Sequence, residues 1–100
     1  MTDRPKRARS MVSPASQPRL PRHVKMRHDG ARDVWTILAP ERVYTPNAIA
    51  VAVLQLCDGA RNVESIAGEL ARTYDADQRE ILEDVVPMLQ DLSDKGVIET

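Results

Sequence analysis

The side chains that could carry out chemistry are few in this chain, and their spacing does not bring them together. There are two histidines, His23 and His28, and one cysteine, Cys57. On an extended strand, side chains five residues apart point to opposite faces, so the two histidines cannot bind one metal ion together. Cys57 lies late in an apolar stretch without a histidine nearby in sequence, whereas a nucleophilic thiol needs an activating base. The pattern predicts a buried core cysteine and no metal site.

Other patterns of catalytic residues are also missing. The four glycines are scattered as single turn or cap residues, so they form no phosphate-binding loop. The acidic pairs Glu83-Asp84 and Asp75/Asp77 are better interpreted as a solvated face and as helix caps. We therefore expect a chain that is not an enzyme by itself and that holds no cofactor.

Charge is divided unevenly along the chain. Residues 1–32 contain nine Lys and Arg against two Asp, a formal charge of +7, and residues 33–100 contain five against thirteen Asp and Glu, a formal charge of -8. Prolines and serines interrupt any apolar periodicity in the first 19 residues. Residues 1–19 are therefore predicted to be a disordered basic arm or an interdomain linker, and residues 20–100 a single folded domain.

Hydropathy and cysteine content limit the cellular compartment in which we expect the chain. The longest apolar run, residues 48–54, has seven residues, whereas a membrane-spanning helix needs roughly 20. A single cysteine forms no internal disulfide and fits a reducing compartment. We expect a cytoplasmic protein with no membrane partner.

Alternation and turn residues predict three strands followed by three helices. Residues 23–28 alternate between apolar and polar side chains, residues 34–38 are apolar on both faces, and residues 42–45 follow a turn at Pro40. The Asp29-Gly30 dipeptide favours a turn between the first two strands, with Gly30 free to adopt a positive φ. The predicted helix N-caps are Thr45 or Asn47, Asn62 and Asp77, and Val97-Ile98 could add a short last strand. The fold class is α+β and winged-helix-like, a three-stranded antiparallel meander followed by three helices.

Two functions fit such a domain. The short third strand is an inviting sheet edge, to which a peptide could add as a further strand, and the apolar stripe of the helix over residues 78–95 could form the wall of a groove beside it. The same stripe is also what core packing requires, so both interpretations stay open. A winged-helix regulator that binds DNA is the alternative, but residues 62–96 carry nine acidic side chains against three basic ones, which would repel phosphates.

Several runs of residues, in order and at the expected spacing over residues 20–100, resemble the coenzyme PQQ synthesis protein D (PqqD) family. The Pro40-Glu41 and Cys57-Asp58-Gly59 elements are the most specific of them. The matching runs are Ile37 to Val43, Asn47-Ala48, Leu56 to Gly59, Val63 to Ile66, Leu70 to Tyr74, Leu89 to Leu92 and Lys95 to Ile98.

The resemblance implies a non-catalytic peptide chaperone of pyrroloquinoline quinone (PQQ) biosynthesis. Such a recognition element for ribosomally made, modified peptides (RiPPs) binds the precursor peptide PqqA and presents it to PqqE, a radical S-adenosylmethionine enzyme. It needs neither nucleic acid nor membrane. The peptide is expected along the third strand and the last helix. The residues implied for peptide binding are Arg42, Val43, Tyr44, Thr45, Leu82, Val85, Val86 and Leu89.

The basic arm departs from the family pattern, because family members usually begin near the first strand. A fusion behind a PqqC-type oxidase would need such a linker. The arm therefore raises the hypothesis that this chain is a piece of a fusion of that kind.

Overall fold

The computed structural model describes residues 11–100, in which three strands precede three helices. The strands are β1 (Lys25–Asp29), β2 (Val34–Ala39) and β3 (Arg42–Tyr44), and the helices are α1 (Ala48–Gln55), α2 (Val63–Tyr74) and α3 (Gln78–Asp94). The strands form one antiparallel sheet in the order β1-β2-β3. The predicted α+β, winged-helix-like architecture is confirmed.

One face of the sheet packs against the helices. Ile37 at the centre of β2 is paired with Met26 of β1 and with Tyr44 of β3, and this row contacts the apolar core. Ile37 itself is 1% exposed. Side chains alternate across a strand, so the neighbouring pair, Leu38 and Val43, faces the other way. Within residues 11–100, none of the helices is both long and apolar enough to cross a bilayer.

Each helix begins at a side chain that accepts a hydrogen bond from the first turn. Asn47, Asn62 and Asp77 each accept a backbone N–H at 2.8 Å. Asn47, and not Thr45, is therefore the N-cap of α1. The predicted positive φ between β1 and β2 is at Asp33, with a φ of 52°, and not at Gly30.

The segment 11–19 packs on the domain instead of extending from it as a linker. Val12 is 7% exposed and Pro18 is less than 2% exposed. Arg19 and Glu99 exchange two backbone hydrogen bonds of 2.9 and 2.8 Å, which join the segment to the end of the chain as a bridge and not as the predicted last strand. Residues 11–19, which the sequence predicts as part of a disordered arm, therefore contribute apolar side chains and main chain to the fold. The rest of the predicted arm lies outside the described residues.

The same segment completes the start of α2. The first N–H groups of a helix have no partner within the helix. Here the N–H of Val63 donates to the carbonyl of Ser16 at 2.9 Å, and the N–H of Glu64 donates to the carbonyl of Pro14 at 3.0 Å. Main-chain carbonyls from outside the predicted domain thus supply two of the acceptors that α2 requires.

We expect a chain that starts at residue 20 to be less stable than one that starts at residue 11, by about 3 kcal/mol or more. Burying a Val side chain contributes about 1.5–3 kcal/mol, and each of the two hydrogen bonds at α2 contributes about 1 kcal/mol. Urea unfolding monitored by circular dichroism measures the difference. Equal free energies of unfolding for the two chains would contradict a stabilising role for the segment.

Candidate functional site

β3 forms one edge of the sheet. It pairs with β2 on one side, and no other strand within the described part of the chain lies along its outer side. The turn between β2 and β3 contains only Pro40 and Glu41, and its flanking residues, Ala39 and Arg42, face each other. In a two-residue hairpin this closing pair is hydrogen bonded, and bonded pairs then alternate with non-bonded ones along the ladder.

This alternation leaves the main chain of Val43 and Thr45 unpaired with β2. Arg42 and Tyr44 direct their N–H and C=O groups to β2, so Val43 between them directs its own outward. If the same alternation continues one residue past the end of β3, the main chain of Thr45 is directed outward as well. The side chain of Val43 also faces away from the core, and Val43 is 66% exposed. The edge therefore offers two N–H and two C=O groups to an additional strand.

The C-terminal end of α3 lies within electrostatic range of this edge. The pKa of Lys95, the C-cap of α3, is raised chiefly by its hydrogen bond to Asp91 and by the charge of that carboxylate, with a smaller contribution from Tyr44. The Lys95 ammonium group lies 2.9 Å from the Asp91 carboxylate. The hydroxyl of Tyr44 is buried and has no hydrogen-bond partner among residues 11–100. Tyr44 thus brings a polar atom without a partner to the side of β3 that faces the helix.

The N-terminal half of α3 lies beside the chain that continues from β3. Ile49, in the first turn of α1, lines a pocket together with Ile81 and Met88 of α3. Ile81, Met88 and Lys95 follow at intervals of seven residues, about two helical turns, so they lie on one flank of α3. We call the space between this flank and the segment from β3 to Ile49 the β3–α3 cleft.

An apolar pocket of about 280 Å³ opens at the α1 end of the cleft. Three helices contribute to it, and the only charged side chain in its lining is that of Asp84. The complete lining is Ile49, Leu70, Tyr74, Ala76, Ile81, Asp84, Val85 and Met88.

Four of the predicted peptide-binding residues lie together at the sheet edge. They are Arg42, Val43, Tyr44 and Thr45, of which Tyr44 is half-buried and the others are exposed. The four predicted on α3 are more deeply placed. Val85 is 2% exposed and Leu89 is 0% exposed, so both belong to the core, and Val85 also lines the pocket.

Leu82 and Val86 lie on a different flank of α3 from the cleft. They are half-buried, and one turn after Val86 the side chain of Gln90 accepts a hydrogen bond of 2.8 Å from the N–H of Val12. This flank therefore faces the N-terminal segment, and the structure does not bring Leu82 and Val86 to β3. A role of these two residues in peptide binding stays a prediction, because the apolar stripe of α3 serves several neighbours and they lie on the flank of Gln90.

The residues that sequence reasoning missed at the cleft are Met88, Ile81 and Lys95. The periodicity places Ile81 and Met88 on the apolar face of the helix, but it does not distinguish the two flanks of so wide a stripe. Only the position of β3 in the fold determines which flank lines the cleft.

Reactive side chains are not arranged for catalysis. Cys57 is 6% exposed, and burial, helped by the negative charge of Asp58, raises the pKa of its thiol to about 12. His28 lies 2.9 Å from the Asp33 carboxylate, and its ring stacks on Trp35 with 4.8 Å between centroids. Across residues 11–100, no group of three potential ligands gathers at one point to hold a metal ion. The geometry suits binding of another chain.

Comparison with known proteins gives a consistent set of relatives. The family model of coenzyme PQQ synthesis protein D (PqqD) matches residues 35–98. The PqqA binding protein of Rhodopseudomonas palustris (strain BisB5) is 61% identical over 87 residues, which cover 87% of this chain and 85% of that protein. The bifunctional coenzyme PQQ synthesis protein C/D of Methylorubrum extorquens is 49% identical over 82 residues, which cover 82% of this chain but 22% of that protein.

Two solved structures are similar to the present one. The first is the solution structure of the PqqD truncation of Methylobacterium extorquens PqqCD, described as a functional, stand-alone RiPP recognition element. It is 46% identical, with a TM-score of 0.78, and the match covers 89% of this chain and 95% of that one. The second is the crystal structure of PqqD from Xanthomonas campestris, which is 40% identical, with a TM-score of 0.57 and coverage of 89% and 99%.

Replacing Tyr44 by Phe is expected to leave the free energy of unfolding unchanged or to raise it by up to about 1 kcal/mol. The substitution keeps the ring and removes a buried hydroxyl that has no partner in the described part of the chain, and burying such a group is unfavourable. Urea unfolding measures the change, with Tyr74→Phe at a half-exposed position as the control. A loss of more than 1 kcal/mol in Tyr44→Phe alone would mean that the hydroxyl makes a stabilising contact.

Cys57 is expected to resist alkylation in the folded protein. At pH 8 a thiol with a pKa of about 12 is ionised in roughly one molecule in 10,000, and only the thiolate reacts. Mass spectrometry after treatment with iodoacetamide measures the modified fraction, with the urea-unfolded protein as the control that reacts fully. Rapid alkylation under native conditions would contradict the buried position of the thiol.

Proposed function

The chain belongs to the coenzyme PQQ synthesis protein D (PqqD) family, and from this premise we propose that it binds the precursor peptide PqqA as a non-catalytic recognition element of PQQ biosynthesis. Relatives named for PqqA binding, and a relative described as a RiPP recognition element, support this function. We further propose that the bound peptide is presented to the radical S-adenosylmethionine enzyme PqqE, because the described residues offer a surface for binding and no catalytic centre.

The open edge of β3 is the observation that carries the proposal. A flexible peptide that pairs with Val43 and Thr45 gains about four main-chain hydrogen bonds, each contributing about 0.5–1.5 kcal/mol. Ordering a free peptide on binding costs about 2–5 kcal/mol. The two quantities are close, so main-chain pairing fixes the path of the peptide, and side-chain contacts in the cleft must supply the remaining affinity.

We propose that these side-chain contacts lie on the flank of α3 that lines the β3–α3 cleft. Met88 and Ile81 offer apolar surface there, and Lys95 lies at the end beside Tyr44. Arg42, Val43, Tyr44 and Thr45 remain peptide-binding residues in this proposal. Val85 forms part of the pocket wall, whereas Leu82, Val86 and Leu89 act indirectly, by holding α3 in place.

The alternative, a winged-helix DNA-binding regulator, is disfavoured by charge. The helix that would enter the major groove is α3, and its exposed side chains are mostly acidic. Phosphate contacts supply most of the non-specific affinity for DNA and require basic side chains.

Cellular context follows from the same proposal. A ribosomally made precursor is first available in the cytoplasm, and we propose that location for this protein. The free thiol of Cys57 is compatible with a reducing compartment. Relatives occur both as short proteins, of which this chain covers 85%, and within a C/D fusion, of which it covers 22%. A fused and a separate arrangement of this domain are therefore both compatible with PqqA binding.

Titration of the protein with synthetic PqqA tests the proposal, with binding measured by isothermal calorimetry. The Val43→Pro variant removes one outward N–H without removing a bond to β2, and proline is tolerated at a sheet edge. We expect it to weaken PqqA binding by at least tenfold, while Val43→Ala, which keeps the N–H, weakens it less than threefold.

Thr45→Pro removes the second outward N–H and serves as an independent variant if Val43→Pro is unstable. Thermal unfolding of each variant verifies the fold. Wild-type protein that does not bind PqqA at high micromolar concentration would reject the proposed function. Equal affinity of wild-type protein and of a folded proline variant would reject β3 as the binding edge.

A further inference from the structure

Exposed apolar side chains occur at the pocket and at the edge strand. Within residues 11–100, four large apolar side chains are more than half exposed, and three of them are Val43, Ile49 and Tyr74. Ile49 and Tyr74 line the pocket, whereas the side chain of Val43 points to the face of the sheet that is turned away from the helices. Since exposed apolar surface that is contiguous marks interaction sites, the pocket with Ile49 and Tyr74 is the apolar interaction surface on the helix side of the edge.

The pocket is large enough to admit a bulky apolar side chain. An apolar cavity of about 150 Å³ holds benzene, and this pocket has a volume of about 280 Å³. Its walls come from three helices, with Leu70 of α2 and Val85 of α3 in the buried part. A pocket with a buried apolar base and a half-exposed rim suits one bulky apolar side chain that arrives from the cleft.

The rim of the pocket on α3 is acidic. Asp84 lines the pocket itself, and Glu80 lies one turn before it on the same side of the helix. Both side chains are exposed, and neither forms a salt bridge with any residue from 11 to 100. Two carboxylates that have no salt bridge inside residues 11–100, placed beside an apolar pocket, favour an occupant that carries Lys or Arg next to its apolar residue.

The direction of β3 determines which part of a bound peptide reaches the pocket. The pocket residue Ile49 lies five residues beyond the end of β3, at most about 17 Å along the chain. All pairs in this sheet are antiparallel, and a strand added in the same manner runs opposite to β3. The residues of the peptide that precede its paired strand therefore lie at the Thr45 end, beside the pocket.

We propose that this pocket binds one bulky apolar side chain of PqqA, located N-terminal to the residues that pair with β3 and adjacent to a Lys or Arg. This rests on the proposed function, and it adds the feature by which the peptide is selected. The pocket supplies the side-chain anchor that a short strand pairing lacks, and the acidic rim fixes the charge of the neighbouring residue.

Substitution at the rim tests the pocket without disturbing the core. Ile49→Glu places a charge at a half-exposed position in the first turn of α1, where an acidic side chain is favourable for the helix. We expect it to weaken PqqA binding by at least tenfold, with Ile49→Val, the matched control, within threefold of wild type. Asp84→Lys is expected to weaken binding at low salt and to reduce the salt dependence of the affinity.

Peptide variants identify the occupant through a double-mutant cycle. PqqA peptides with single Ala substitutions of their apolar residues are titrated against wild-type protein and Ile49→Glu. One substitution N-terminal to the paired strand is expected to weaken binding to wild-type protein by at least tenfold and to have no further effect on Ile49→Glu. Methyl-labelled wild-type protein is expected to show intermolecular NOEs between that peptide side chain and the methyls of Ile49, Ile81 and Met88.

The outcomes separate this inference from the proposed function. If wild-type protein does not bind PqqA, both proposals fail. If it binds, and Val43→Pro abolishes binding while Ile49→Glu has the affinity of wild type, only the pocket proposal is overturned. If Ile49→Glu does not fold, the NOEs of the wild-type complex decide, and their absence from Ile49, Ile81 and Met88 overturns the pocket proposal.

Discussion

The unpaired main chain on the outer side of β3 is the feature on which the rest of the site depends. Backbone N–H and C=O groups need hydrogen-bond partners. Of the two edge strands in the described sheet, β1 carries the exposed charges of Lys25 and Arg27, which discourage pairing, whereas the centre of β3 is Val43. The segment 11–19 could have extended the sheet, but it pairs with Glu99 and provides acceptors for the first turn of α2. The two-residue turn at Pro40-Glu41 then determines that Val43 and Thr45 are the residues whose main chain stays open.

A short open edge balances access against specificity. Long, flat, apolar edges pair with many chains, and natural proteins keep exposed edges short or charged. β3 has three residues, so it offers too few hydrogen bonds to retain a flexible peptide by pairing alone. Affinity must come from side chains in the cleft, and only a peptide with the right side chains gains it. The nearby apolar pocket is well placed for that purpose.

α3 explains why core and binding surface are hard to separate in this domain. Its central line, with Val85 and Leu89, is buried. One flank, through Gln90, contacts the N-terminal segment, and the opposite flank, with Met88 and Ile81, lines the cleft. A helix with three neighbours needs a wide apolar stripe. The width of the stripe indicates that several surfaces meet there, but it does not say which of them is open to a ligand.

Local signals in the sequence determined most of the fold. Alternation of apolar and polar residues predicted the strands, and side-chain acceptors such as Asn62 predicted where the helices begin. The expected function came from the resemblance to the PqqD family. Arg42 to Thr45 could also be predicted as an edge, because short-range turn chemistry defines it. Long-range packing decided the rest. Whether residues 11–19 join the domain depends on acceptors that α2 needs some 50 residues later. Which flank of α3 forms the cleft depends on where β3 lies. The spacing of apolar residues along α3 cannot predict the position of a distant strand.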